Sequence, residues 1–130
     1  LAIVALVAGV GIVSLSGGRP ARVIAATSQG IAAELRYARL DSIRSGHLRR
    51  VIFDPASQSL RSATRAPFPI PDGVRADLVT AREAADDGGA AIVFLPDGRS
   101  TGGRIDLTAG PLRRAVVVDW LTGLVREEAR

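Results

Sequence analysis

The chain has 130 residues, no cysteine and a formal net charge of +4, and its 17 basic residues are all Arg. This length corresponds to one domain, and the lack of cysteine excludes disulfide bonds, thiolate metal sites and thiol catalysis. The charge is uneven, since residues 19–50 carry seven Arg and only two acidic side chains. Such a basic stretch indicates a membrane surface, a nucleic acid, an acidic partner or simply a solvated helix face.

The first element is an uncharged run, LAIVALVAGVGIVSLS, which is apolar on every face. A helix of this length covers about 24 Å, whereas the hydrocarbon core of a bilayer measures about 30 Å. We therefore expect further apolar residues upstream, with residues 1–18 forming the membrane-spanning part of a helix. The alternatives are a cleaved signal peptide, which would begin with Met and basic residues, and a buried core helix, which would be apolar on one stripe.

The pattern then becomes one-sided, which predicts that residues 19–46 continue the same helix as an amphipathic segment. Its apolar stripe consists of Ile24, Ile31, Leu35 and Ala38, widened by Ala32 and Ile43. Gly46 is a plausible C-cap. We expect one nearly continuous helix over residues 1–45, locally loosened between Gly17 and Pro20 because Pro lacks a backbone donor.

Residues 47–130 change to a period of two and predict an antiparallel β domain. A first hairpin is expected over 48–63 around the turn DPAS, and a Pro-rich loop over 61–73. Further strands are predicted at 74–80, 90–95, 104–109 and 114–119, with a last strand after WLTG and a polar loop over 82–89. Six or seven short strands, with the helix stripe packed against one sheet, give an α+β fold.

No motif predicts a catalytic, cofactor-binding or metal site, so we expect no enzyme activity. His47, the single histidine, lies at a predicted helix end, where it interacts with the helix dipole. PDGRSTGG, residues 96–103, lacks the phosphate-loop spacing and is interpreted as a turn. DDGG, residues 86–89, lacks the alternating acids of a calcium loop. Trp120 is expected to be a packing anchor.

Three segments together resemble the pilin-like proteins of the GspH/FimT group. The apolar start with Pro20 resembles the N-terminal helix of type IV pilins and pseudopilins. LRYARLDSIRSGHLRRVIFDP resembles the passage from helix to first strand in the group, and VFLPDGRSTGGRIDL and AVVVDWLTGLVR resemble its C-terminal strands. The resemblance covers nearly the whole chain and implies a pilin-like fold, with the helix packed on antiparallel sheets.

The resemblance implies a minor pseudopilin of type II secretion, anchored by one helix in the bacterial inner membrane with its C-terminal domain in the periplasm. A prepilin peptidase would remove a basic leader from the precursor, and the first mature residue would be a methylated Phe. The expected partners are the other pseudopilins of a fibre that helps export folded proteins, together with membrane lipid. Helices would associate through the small residues Ala5, Ala8, Gly9 and Gly11.

Two alternatives remain open at the level of sequence. A FimT-like minor pilin of a type IV pilus would bind DNA during uptake, with phosphate contacts from Arg113, Arg114, Arg126 and Arg130. Glu127 and Glu128 lie beside these positions and oppose that role. The other alternative, a membrane-anchored periplasmic enzyme, lacks a recognisable site.

Overall fold

A computed structural model of the chain describes residues 2–80 and 90–129, with side chains from residue 18 onward. One helix, α1 (Ala2–Ser45), precedes eight described strands. The strands are β1 (Arg49–Asp54), β2 (Ser59–Ser62), β3 (Phe68–Pro69), β4 (Arg75–Val79), β5 (Ala90–Phe94), β6 (Gly103–Ala109), β7 (Leu112–Val118) and β8 (Val125–Ala129). The predicted α+β fold is therefore confirmed.

The strands form two four-stranded antiparallel sheets, ordered β3-β2-β1-β5 and β4-β6-β7-β8. The predicted hairpins β1–β2 and β7–β8 are both present. The segment 61–73 was predicted as a loop, but it contains the short strand β3, in which Phe68 pairs with Leu60. A Cβ atom built on Gly30 of α1 would lie 2.5 Å from Phe68 Cζ, so the ring rests on the helix backbone. This packing of Phe68 on the helix favours a strand here, although the neighbouring prolines predict a loop.

Helix α1 runs without a break through Pro20, as the sequence predicts. It ends at Ser45. The following Gly46 has φ of 70°, and its N–H donates to Ser42 O at 3.0 Å, so the predicted C-cap is confirmed. Gly adopts the left-handed conformation at this position without strain because it has no Cβ. The predicted loosening between Gly17 and Pro20 stays a prediction.

The predicted stripe of α1 is buried, except at its last position. Ile24, Ile31 and Leu35 are at most 2% exposed, but Ile43 is 42% exposed, so its assignment to the core was wrong. At about 100° per residue, position 42 lies on the stripe axis and position 43 is displaced to one side. Ser42 is buried there instead, and its hydroxyl lies 2.6 Å from Arg39 O and 3.1 Å from Leu95 O.

The helix packs against both sheets, not against one as the sequence predicts. It contacts β6, β7 and β8 of one sheet and β1 and β5 of the other. One continuous core joins the helix stripe to both sheets, and it includes Phe53, Phe94, Ile105 and Val116. The reason is that strands of both sheets supply apolar side chains to the same helix face.

The segment 82–89, predicted as a polar loop, lies outside the described residues, and so does the DDGG stretch. Within the described residues, no helix combines the length and hydropathy needed to cross a membrane.

Candidate assembly surface

The small residues predicted to bring helices together lie in the first half of α1. These residues, Ala5, Ala8, Gly9 and Gly11, are helical, and the structure describes side chains only from residue 18 onward. The helix has 44 residues, which corresponds to a length of about 66 Å. Among the described side chains, packing on the β domain begins near Val23 and ends near Ser42, a span of about 30 Å.

Two arginines of α1 hold the β7–β8 loop against the helix. Arg39 Nε donates to Gly98 O at 3.1 Å, and Arg39 Nη2 donates to Thr122 O at 3.2 Å. Arg36 Nη2 donates to Val125 O at 3.0 Å, at the start of β8. Charged donors make stronger hydrogen bonds than neutral ones. The sequence did not predict either role, because the spacing of the two arginines does not show which backbone carbonyls will accept their hydrogen bonds.

The same loop makes a close contact with the turn between β5 and β6. Gly123 has φ of 70°, and a Cβ built on it would lie 1.9 Å from Gly98 O. No side chain fits there, so Gly is required both by the conformation and by the space. Gly98 and Gly102 also have positive φ. The predicted turn over 96–103 lies between β5 and β6, but it ends one residue early because Gly103 begins β6.

Exposed apolar side chains lie on the two elements that Arg39 joins, the helix and the β7–β8 loop. We call them the distal apolar patch, consisting of Leu40 and Ile43 of α1 and Trp120, Leu121 and Leu124 of the β7–β8 loop. Arg39 links the two groups, because it belongs to the helix and bonds Thr122 in the loop.

Trp120 was predicted to be a packing anchor, and this was wrong, since the residue is 64% exposed. The cause is the preceding Asp119, whose Oδ1 accepts hydrogen bonds from Leu121 N at 2.8 Å and Thr122 N at 3.1 Å. The indole after this turn lines an open surface cavity beside Val79, Arg104 and Val117 instead of entering the core. The bonds from Thr122 and Leu121 lower the pKa of Asp119 below its ordinary value because they favour the carboxylate.

The arginines predicted to contact DNA do not form one basic surface among the described residues. Arg113 and Arg114 are neighbours on β7. They line a cavity of about 430 Å³ together with Asp77 and Asp106. Arg126 pairs with Glu128 at 3.1 Å, and Arg130 lies outside the described residues.

His47 is exposed just after the end of α1, and its backbone N–H donates to Ser45 Oγ at 3.2 Å. This position agrees with the expected helix-end location. Within residues 2–80 and 90–129, no group of three or more His, Asp or Glu side chains is placed to hold a metal ion.

Comparisons with known proteins agree with the geometry. The family described as Type II transport protein GspH matches residues 27–123. A Type II secretion system protein H of Xanthomonas campestris pv. campestris is 36% identical over 97% of this chain and 77% of that protein. Two structures of the minor pseudopilin EpsH from Vibrio cholerae are similar in fold. Each has a TM-score of 0.66, at 14% and 13% identity, over 82% and 83% of this chain and 96% and 94% of theirs.

Proposed function

Because the chain belongs to the GspH family of type II transport proteins, we infer that it is a minor pseudopilin of type II secretion. It is a component of the pseudopilus in the cell envelope, and other pseudopilus subunits are its partners. We propose that its role is structural and non-enzymatic, as one subunit of a periplasmic fibre that helps export folded proteins across the outer membrane.

The single observation that carries this proposal is the length of α1. Its second half packs on the β domain from Val23 onward, and an uncharged apolar run occupies its first half. We propose that residues 1–18 insert into the inner membrane, that residues 19–46 continue as a periplasmic helix, and that residues 47–130 form the periplasmic domain. Lipid would surround the first segment, and a prepilin peptidase would process the precursor.

Within the fibre, we propose that neighbouring subunits pack along the first half of α1. Apolar side chains gain no hydrophobic driving force from leaving lipid, so helices there associate through close backbone approach at small residues. Ala5, Ala8, Gly9 and Gly11 offer such an approach. The DNA-binding alternative is not favoured, because Arg113 and Arg114 share their cavity with Asp77 and Asp106, and Arg126 pairs with Glu128.

The test is export of a secreted protein in a strain that carries only the variant copy. Gly9→Leu and Gly11→Leu should abolish export, because added bulk separates neighbouring helices, whereas Gly9→Ala should be milder. Arg113→Glu and Arg114→Glu should leave export nearly unchanged, since exposed charges usually contribute little to stability. Normal export by both Leu variants would contradict the packing proposal. Strong, salt-dependent DNA binding that the Arg variants abolish would support the pilus alternative.

A further inference from the structure

Three of the four sheet edges are obstructed in the part of the chain that the structure describes. The centre of the β4 edge is occupied by the side-chain amide of Gln58, which reaches across from the β1–β2 turn. Ala76 N donates to Gln58 Oε1 at 2.9 Å, and Gln58 Nε2 donates to Ala76 O at 3.4 Å. The amide thus pairs with β4 much as a neighbouring strand would.

The β5 edge is covered by the turn that follows it. Thr101 N and Ser100 Oγ both donate to Val93 O, at 3.0 Å and 2.8 Å, and Val93 N donates to Thr101 Oγ1 at 3.0 Å. The β3 edge is only two residues long and contains Pro69, which has no N–H. Covered, short and Pro-containing edges are the usual means by which proteins prevent unwanted strand pairing.

The β8 edge differs, because part of its backbone is open. Asp119 N donates to Leu124 O at 3.0 Å, so the carbonyl of Leu124 faces β7. Antiparallel backbone groups alternate in direction, and Arg126 and Glu128 therefore also face β7. Val125, Glu127 and Ala129 face outward, and the bond from Arg36 to Val125 O agrees with this alternation.

Arg36 occupies only the first of the outward carbonyls of β8. Glu127 and Ala129 are exposed, and no hydrogen bond from another described residue reaches their outward backbone groups. Such a row of unpaired groups is a template for an added strand. Obstructed edges elsewhere make this opening a specific place for pairing.

We propose that an extended segment of another pseudopilus subunit adds to this sheet as a fifth strand, beside β8. The inference deepens the proposed function and rests on it. Main-chain bonds to Glu127 and Ala129 would hold the segment. The side chains of β8 indicate the charge of the incoming segment. Arg126 already pairs with Glu128 at 3.1 Å, and Glu127 is exposed. The β8 strand is therefore net acidic and fits a basic segment.

A second copy of this chain is a poorer occupant. Two antiparallel β8 strands centred on the same residue would place the two Glu127 side chains directly opposite each other, and like charges in that position are destabilising. Glu127 Oε1 accepts the hydroxyl of Ser28, at 2.7 Å. A basic side chain on the incoming strand would instead complement it.

The sharpest variant is Ala129→Pro, which removes an outward N–H without removing a ladder bond to β7. Ala129→Ser retains that N–H and separates the effect of the amide from that of the side chain. Full-length variants would be paired with each other subunit of the same secretion system, and with themselves, in a membrane two-hybrid assay alongside export. We expect Ala129→Pro to weaken one heterologous pair about tenfold, as for the loss of about 1.4 kcal/mol, and Ala129→Ser to retain it.

Glu127→Lys provides an independent measurement if Ala129→Pro lowers the amount of folded protein. It should weaken the same pair, while Ser28→Ala, which removes only the bond to Glu127, should not. Wild-type pairing by Ala129→Pro and Glu127→Lys would overturn the inference, and so would an effect confined to self-pairing. If deletion of the whole chain leaves export intact, the proposed function fails instead, so the two failures are distinguishable.

Discussion

Gly123→Ala should be among the most destabilising single-methyl additions in the described part of the chain. The added Cβ would lie 1.9 Å from Gly98 O, a distance that no real Cβ contact adopts. Because the obstructing atom belongs to the backbone, no side-chain rotation relieves the clash. The β7–β8 loop must therefore move away from the β5–β6 turn.

The cost has two parts. A non-Gly residue in the left-handed region costs about 1–2 kcal/mol. Movement of the loop also breaks at least one hydrogen bond of Arg39, which now spans Gly98 O and Thr122 O, and a bond from a charged donor is worth about 1.5–3 kcal/mol. The free energy of unfolding should therefore fall by about 2.5–5 kcal/mol, a large share of the roughly 5–15 kcal/mol that stabilises a typical domain.

Gly110→Ala is the matched control. Gly110 also has positive φ, of 60°, but a Cβ there meets nothing within 4 Å. It should lose only the conformational part, about 1–2 kcal/mol. Urea unfolding of the two variants, followed by circular dichroism, measures both losses. If the two variants lose the same stability within about 0.5 kcal/mol, the contact with Gly98 is not the cause and the reasoning is refuted.

Three further outcomes are expected. A variant that lacks residues 1–18 should still unfold cooperatively in urea, because the described core begins beyond that segment; a gradual transition would contradict this. Gln58→Ala should lower the free energy of unfolding by about 1–3 kcal/mol, because it leaves the outward groups of Ala76 without their partner; an unchanged urea midpoint would argue against this role. The pKa of Asp119 is lowered in the fold, so its contribution to stability is present above its unfolded pKa and is lost as the pH falls through the folded value. Asp119→Ala should therefore reduce stability at neutral pH and show a smaller loss on acidification below about pH 4, measured as urea midpoints across a pH series.

Local periodicity was enough to predict α1 and every described strand except β3. The one-sided pattern of Ile24, Ile31 and Leu35 identified the buried helix face, because apolar spacing near 3.6 residues reports a face directly. The hairpins around DPAS and WLTG followed from turn residues between alternating strands. Each of these signals lies within one element or one connection.

The errors arose where two distant elements meet. Ile43 has the hydrophobicity of a core residue, yet the buried position belongs to Ser42, whose hydroxyl lies near Leu95 O on a remote turn. Trp120 has the size of a packing anchor, yet the Asp119 turn carries it outward. Hydrophobicity predicts whether a side chain can be buried, but the location of the partner decides whether it is.

The open β8 edge was the feature that the sequence predicted least, for a related reason. Side-chain types signal apolar or charged contacts, but an open strand edge is made of backbone groups that every sequence possesses. The β8 edge becomes distinctive only because Gln58, Ser100 and Thr101 obstruct other edges. Arg36 bonds Val125 O at the beginning of β8 and leaves the end of the strand open. A strand that is attached at one end and unpaired at the other is positioned by its own helix, and it can receive a partner without losing that attachment.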